Sequence, residues 1–139
     1  MAADKTPRVF LARHGQTEWS INGRWTSITD LPLTAAGEAQ VSRSAVKLIG
    51  DGMLIDPVKL ALVLISPMQR ARKTYELMFA PATRRTLLKS KAIVTPELTE
   101  WNYGDYEGLT TKEIRELREK QGLNVKNWDH FRDGCEGGE

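Results

Sequence analysis

Leu60-Ala61-Leu62-Val63-Leu64-Ile65-Ser66-Pro67-Met68-Gln69-Arg70-Ala71-Arg72-Lys73-Thr74 changes character at its seventh residue. The first six are apolar without interruption, the pattern of a strand covered on both faces in a parallel sheet. Ser66 then suits a helix N-cap, Pro67 the first helical position, and Gln69, three residues past the serine, completes a capping box. Met68, Ala71, Tyr75 and Met78 fall at helical spacing, and Pro81 ends the helix. A buried strand that feeds straight into a helix is the repeating unit of an α/β fold.

The same alternation recurs outward from that junction. Arg8-Val9-Phe10-Leu11-Ala12 is a short, partly β-branched run between Pro7 and Gly15, and it predicts a first strand. Thr34 can cap a helix whose apolar residues Val41, Ala45, Leu48 and Ile49 share one face, with Gly50 and Gly52 closing it. On the other side, the basic stretch Arg84 to Lys89 reads as solvated surface and Ala92 to Thr95 as a third strand. Thr110 with Glu113 forms another capping box, opening a helix to about Gln121 with Glu116 and Lys120 as an i,i+4 pair. Three strands alternating with three helices predict a parallel sheet, and ligands of such sheets bind beyond the carboxyl ends of the strands. Arg13-His14, Ser66 to Arg70 and Glu97 to Tyr103 each follow a predicted strand and are expected to converge at one edge.

Bulk properties narrow the function classes. The 139 residues amount to one domain by the usual prior of roughly 100 to 200, and a chain of that length buries about two-thirds of its unfolded surface. Twenty Lys and Arg against 18 Asp and Glu leave a net charge of +2, without the basic excess of a nucleic-acid or membrane-surface binder. No nucleic-acid and no membrane partner is expected, and any anion must be met locally. The single cysteine, Cys135, excludes an intramolecular disulfide, and no Cys/His cluster has zinc spacing, so a cytoplasmic compartment and no metal are expected. No signal-peptide core opens the chain, and no apolar run approaches the roughly 20 residues that span a bilayer.

Three clusters carry chemistry. His14 stands at a predicted strand end with Arg13 before it and Gly15 after, so the backbone can turn sharply while the imidazole faces a pocket, as nucleophile, base or structural group. Arg70 lies in the first turn of a predicted helix, where free N–H groups and the dipole favour an anion and its guanidinium can grip a phosphate bidentately, and Arg13 would add a second fork. Glu100 sits in a loop among Trp101, Tyr103 and Tyr106, where partial desolvation would favour its protonated form, ready to hand a proton to a leaving group.

These motifs resemble the histidine phosphatase superfamily, also called phosphoglycerate mutase-like. Leu11-Ala12-Arg13-His14-Gly15-Gln16-Thr17-Glu18-Trp19 resembles its first-strand signature, and Thr29 to Glu38 the stretch into its first helix. Ser66 to Thr74 resembles its phosphate-arginine helix, and Leu98 to Gly108 its acid loop. The likeness runs over residues 8–139 and implies a three-layer α/β/α fold with a mainly parallel sheet. It further implies that His14 is the nucleophile that becomes phosphohistidine, Arg13 and Arg70 phosphate ligands, and Glu100 the proton donor. Thr26, Ser27 and Tyr103 match positions that line the substrate pocket in relatives. Ser27 stands where glycine is common and Ser20 where mutases carry asparagine, departures that favour a phosphatase over a mutase. Neither a metal nor another cofactor is implied.

Within the superfamily, Gly104-Asp105-Tyr106-Glu107-Gly108, Trp128 and the stretch Phe131 to Glu139 look most like the fungal sedoheptulose 1,7-bisphosphatase group, which implies a small phosphorylated sugar as substrate. The family also uses a second histidine in a His-Gly-His type motif, and this chain has only His14 and His130, the latter read as an incidental surface or interface residue. The sequence is therefore expected to be the N-terminal part of the fold, incomplete at its C-terminus. It would have uncovered sheet edges that invite a homo-oligomer, and either full phosphatase chemistry or phosphate-ester binding alone.

Overall fold

The computed structural model describes residues 6–139. Along these the helices are α1 (Glu18–Asn22), α2 (Ala35–Leu48), α3 (Gln69–Met78), α4 (Pro81–Thr86), α5 (Thr111–Lys120) and α6 (His130–Asp133), and the strands are β1 (Val63–Ile65) and β2 (Ala92–Val94). Several boundaries follow from local chemistry. The Thr34 hydroxyl accepts the Gly37 N–H at 3.0 Å and starts α2. Thr110 and Glu113 exchange the two hydrogen bonds of a capping box, at 3.3 and 2.7 Å, and start α5. Thr17 and Ser20 do the same for α1.

β1 and β2 pair in parallel, with Val63 opposite Ala92, Leu64 opposite Ile93 and Ile65 opposite Val94. The parallel pair, with helix following strand each time, bears out the α/β expectation. The strand reading is corrected in two places. Residues 8–12 form no strand: no other strand among the described residues pairs with them, and Val9 and Leu11 are 81% and 95% exposed. A strand exists only through a ladder partner, so an apolar run without one stays an extended, unpaired segment. The run at Leu60 to Ile65 yields three strand residues rather than six, and only Ile65 is buried, while Leu62 and Leu64 stay half exposed.

The start of α3 is a second correction. Met68, not Ser66, occupies the N-cap, and its side chain makes no capping bond. The Gln69 N–H donates instead to Asp30 Oδ1 at 2.7 Å, and the Gln69 side-chain amide donates to the Asp30 carbonyl. A carboxylate suits the positive end of a helix, so a residue distant in sequence outcompetes the local serine. Helix α3 ends at Met78, and Pro81 opens the separate helix α4. Within the basic stretch Arg85 and Lys89 are exposed, but Leu88 is fully buried. The ion pair of α5 is Lys112 with Glu116 at 3.8 Å rather than Glu116 with Lys120.

Helices α2 and α3 pack against each other, with Val41, Ala45 and Thr74 in the interface layer of the core. Between them runs the backbone of Gly15. A Cβ there would stand 2.7 Å from the Gly37 carbonyl oxygen and 2.8 Å from a Val41 methyl, so only glycine fits. The Gly15 N–H donates to Thr74 Oγ1 at 3.2 Å, and that hydroxyl donates to the Arg70 carbonyl at 2.8 Å. A second buried group, Tyr106, Ile114 and Arg118, ties α5 to the loop before it. No helix of the described residues is long and apolar enough to cross a membrane.

Candidate active site

The packing of Gly15 between α2 and α3 sets the position of His14. Its Nδ1 lies 2.8 Å from the Gly15 carbonyl, which can only accept, so Nδ1 carries the proton and Nε2 keeps a free lone pair. Burial lowers the pKa of His14. The Gly15 carbonyl opposes this, the positive charges of Arg70 and Arg13 reinforce it, and Glu100 opposes it more weakly. The net direction is downward, and the imidazole is neutral at pH 7. Arg13, Arg70 and Glu100 therefore all lie within electrostatic reach of His14, and Arg70 within reach of Glu100. Tyr103 belongs to the same group: burial raises its pKa, Glu100 adds to the rise and Arg13 opposes it, so the phenol stays protonated as a hydrogen-bond donor. All three segments come together, and two of them follow strands. The third, Arg13-His14, is held by glycine packing instead of by a strand.

Arg70 is buried, with 3% exposure. Its Nη1 donates to the Thr29 carbonyl at 2.9 Å and its Nη2 to the Ser27 carbonyl at 3.0 Å. Burial lowers its pKa while Asp30, Glu100 and Glu107 oppose the shift. A guanidinium has five N–H donors, so three remain beyond these two bonds. The fork expected to grip phosphate is thus partly used to hold the 27–29 loop, and Arg70 both organises the site and charges it.

Ser27 is fully buried. Its hydroxyl donates to Glu107 Oε2 at 2.6 Å and accepts the Tyr103 N–H at 3.2 Å. The structure thus places Ser27 between the 27–29 loop and the acid loop. Thr26 turns its hydroxyl toward the Arg24 carbonyl at 3.4 Å. Glu100 is exposed, and one of its carboxylate oxygens accepts the Trp101 N–H at 3.1 Å. The desolvated setting expected from its aromatic neighbours is absent, because Tyr103 packs toward Trp25 and His130 and Trp101 toward Phe131 instead.

Glu107 has no assignment in the sequence reading, and His130 only an incidental one. Glu107 accepts the N–H groups of Ser27 (2.9 and 3.0 Å) and Thr29 (2.9 Å) along with the Ser27 hydroxyl. Burial pushes its carboxyl up, but these donors outweigh that and hold it below its ordinary value. Its only sequence signal was a place in Gly104-Asp105-Tyr106-Glu107-Gly108, next to the acid residue. His130 is not incidental: its ring lies 4.4 Å from Trp25 and 6.1 Å from Tyr103, within an aromatic cluster that also contains Trp128 and Phe131.

The chain is similar to several known proteins. The chain is 44% identical to sedoheptulose 1,7-bisphosphatase of Saccharomyces cerevisiae over 135 residues, which is 96% of this chain and 50% of the yeast protein. It is 37% identical to an acid phosphatase of Mycobacterium tuberculosis over 95% of this chain and 55% of that protein. Among solved structures, a putative alpha-ribazole-5'-P phosphatase from Escherichia coli superimposes with a TM-score of 0.67 at 29% identity, covering 91% of this chain and 55% of that one. The chain spans about half the length of the curated relatives it matches. Residues 9–139 match the family model of the histidine phosphatase superfamily (branch 1), with the phosphoglycerate mutase-like fold of its structural neighbours, and the chain belongs to that superfamily.

Proposed function

We propose that this chain carries the phosphoryl-transfer site of a phosphatase acting on a sugar phosphate, with a sugar bisphosphate as the preferred class, as the name of the yeast relative suggests. One observation supports the reading most: a neutral imidazole with a free Nε2 stands among two guanidinium groups and the carboxyl group of Glu100, which enters the first step protonated. In the first step Nε2 of His14 attacks phosphorus and the P–O bond to the sugar breaks. The departing sugar oxygen takes a proton from Glu100. In the second step water attacks phosphohistidine, gives its proton to Glu100, and releases phosphate. Splitting one displacement into two is the gain of covalent catalysis. Arg13, Arg70 and the Tyr103 hydroxyl stabilise the charge on the transferring group, and Thr26 borders the pocket. Ser27 serves the same site by holding the loop on which Arg70 is fastened.

The test is to trap the intermediate. Incubation with a radiolabelled sugar bisphosphate and a rapid alkaline quench should label the chain on His14, with acid-labile, base-stable label. His14→Ala should carry none. Label that persists in His14→Ala, or that survives acid, would overturn the reading. Phosphate-ester binding that is lost in Arg70→Ala, without any label in the parent chain, would favour a binding role; behind that alternative is the observation that the sequence has two histidines, of which His130 packs on Trp25 in the aromatic cluster.

A further inference from the structure

The segment 134–139 lies against the acid loop through three independent kinds of contact. Backbone bonds come first: the Asp105 N–H donates to the Glu136 carbonyl at 2.8 Å, and the Glu139 N–H donates to the Asn102 carbonyl at 3.0 Å. Glycine packing comes second. A Cβ on Gly138 would overlap the Asn102 carbonyl and stand 2.7 Å from the Gly104 nitrogen, while a Cβ on Gly104 would overlap the Glu136 carbonyl. The third is a charged anchor. Arg118 Nη1 donates to both Glu136 oxygens at 2.8 and 2.7 Å and to the Tyr106 hydroxyl, which itself donates to Glu136. Arg118 is buried, its Nε donates to the Asn124 carbonyl at 2.8 Å, and its guanidinium lies 4.4 Å from the centre of the Trp128 ring.

We infer that Gly134 to Glu139, anchored by the Arg118–Glu136 pair, positions the acid loop so that Glu100 meets the leaving oxygen of the substrate; Glu136 and Gly138 are positioning residues. The inference rests on the reading of Glu100 as proton donor. Glu100 itself is exposed and, among the described residues, accepts a hydrogen bond from its own neighbour's N–H, so its place follows that of the loop. Trp101 stacks on Phe131 and the Tyr103 N–H bonds to Ser27, but Asn102, Gly104, Asp105 and Tyr106 are all held by this segment. Segment 134–139 thus supplies the rigidity that proton transfer in the transition state requires.

Leaving-group dependence tests this directly. A sugar alkoxide needs a proton to leave, whereas p-nitrophenolate leaves without one, so loss of aligned general acid slows the first ester and spares the second. In the full chain, Glu136→Gln and Gly138→Ala should lower kcat/KM for a sugar phosphate by about 10-fold to 100-fold, the range that misplacement by roughly 1 Å produces. The value of kcat/KM for p-nitrophenyl phosphate, which reports formation of phosphohistidine and not its hydrolysis, should change by less than about twofold on the same argument. Glu100→Gln should show the same bias. Equal losses on both esters in the segment variants, or no loss on either, would overturn the inference. If Glu100→Gln lacks the bias, or the parent chain releases phosphate from neither ester, the donor assignment falls and takes the inference with it. A bias in Glu100→Gln that the segment variants lack removes the inference alone.

Discussion

Replacing Glu107 by glutamine should unfasten the 27–29 loop, and the structure sets the size of the effect. The carboxylate takes three donors, the N–H groups of Ser27 and Thr29 and the Ser27 hydroxyl, at 2.6 to 3.0 Å. Hydrogen bonds to a charged group contribute about 1.5 to 3 kcal/mol each when fully buried. Glu107 is only partly buried, so about 1 kcal/mol per donor is the appropriate scale, and a glutamine keeps one acceptor while aiming an NH2 at the remaining donors. With one acceptor retained, the expected loss is about 2 kcal/mol, equivalent to roughly 7 °C in Tm for a chain of this size. Urea unfolding at pH 7, followed by tryptophan fluorescence, measures it. The pH dependence provides an internal check. The folded-state pKa of Glu107 lies below its ordinary value of 4.5, so its stabilisation is complete above that pH and is lost as pH falls through the lower, folded value. The gap between parent and variant should therefore close in acid. A gap under about 1 kcal/mol at pH 7, or one that widens on acidification, would refute this account of the loop.

Three other outcomes are expected. Because burial and the two arginines lower the pKa of His14, the neutral nucleophile persists into acid, and the rate of phosphohistidine formation should fall to half its plateau at a pH below 6.5; a midpoint above 6.5 in stopped-flow labelling would contradict the geometry. Arg70→Lys removes the fork that bonds the Ser27 and Thr29 carbonyls, so calorimetry should show inorganic phosphate binding weakened about tenfold, with a lower Tm in the same variant. Gly15→Ala forces a methyl against the Gly37 carbonyl and Val41 and should cost about 1 to 3 kcal/mol in thermal unfolding.

What was legible in the sequence was local. The caps at Thr34 and Thr110 lie three residues from the N–H groups they satisfy, and both helices begin where those residues predict. The cap of α3 was misassigned because Asp30, which fills it, is 39 positions away. The run at residues 8–12 has strand composition, yet a strand is a relation between two segments and composition records one of them. The candidate chemistry of His14, Arg13, Arg70 and Glu100 could be named because each sits in a short motif. The use of Ser27 and Glu107 could not, since they meet across 80 positions and neither bears a signature for the other. Tyr103 was read as a pocket residue, and the structure adds that its backbone N–H also bonds to Ser27.

The loop at residues 27–29 is gripped mainly by its peptide groups: Glu107 takes the N–H groups and Arg70 takes the carbonyls. Among the loop's side chains the hydroxyls of Ser27 and Thr29 add to the grip on Glu107, while Ile28 between them is 59% exposed. Such an attachment is indifferent to what positions 26 and 28 carry. Residues 26 and 28 can thus be substituted with no compensating change in the frame that holds the loop in place.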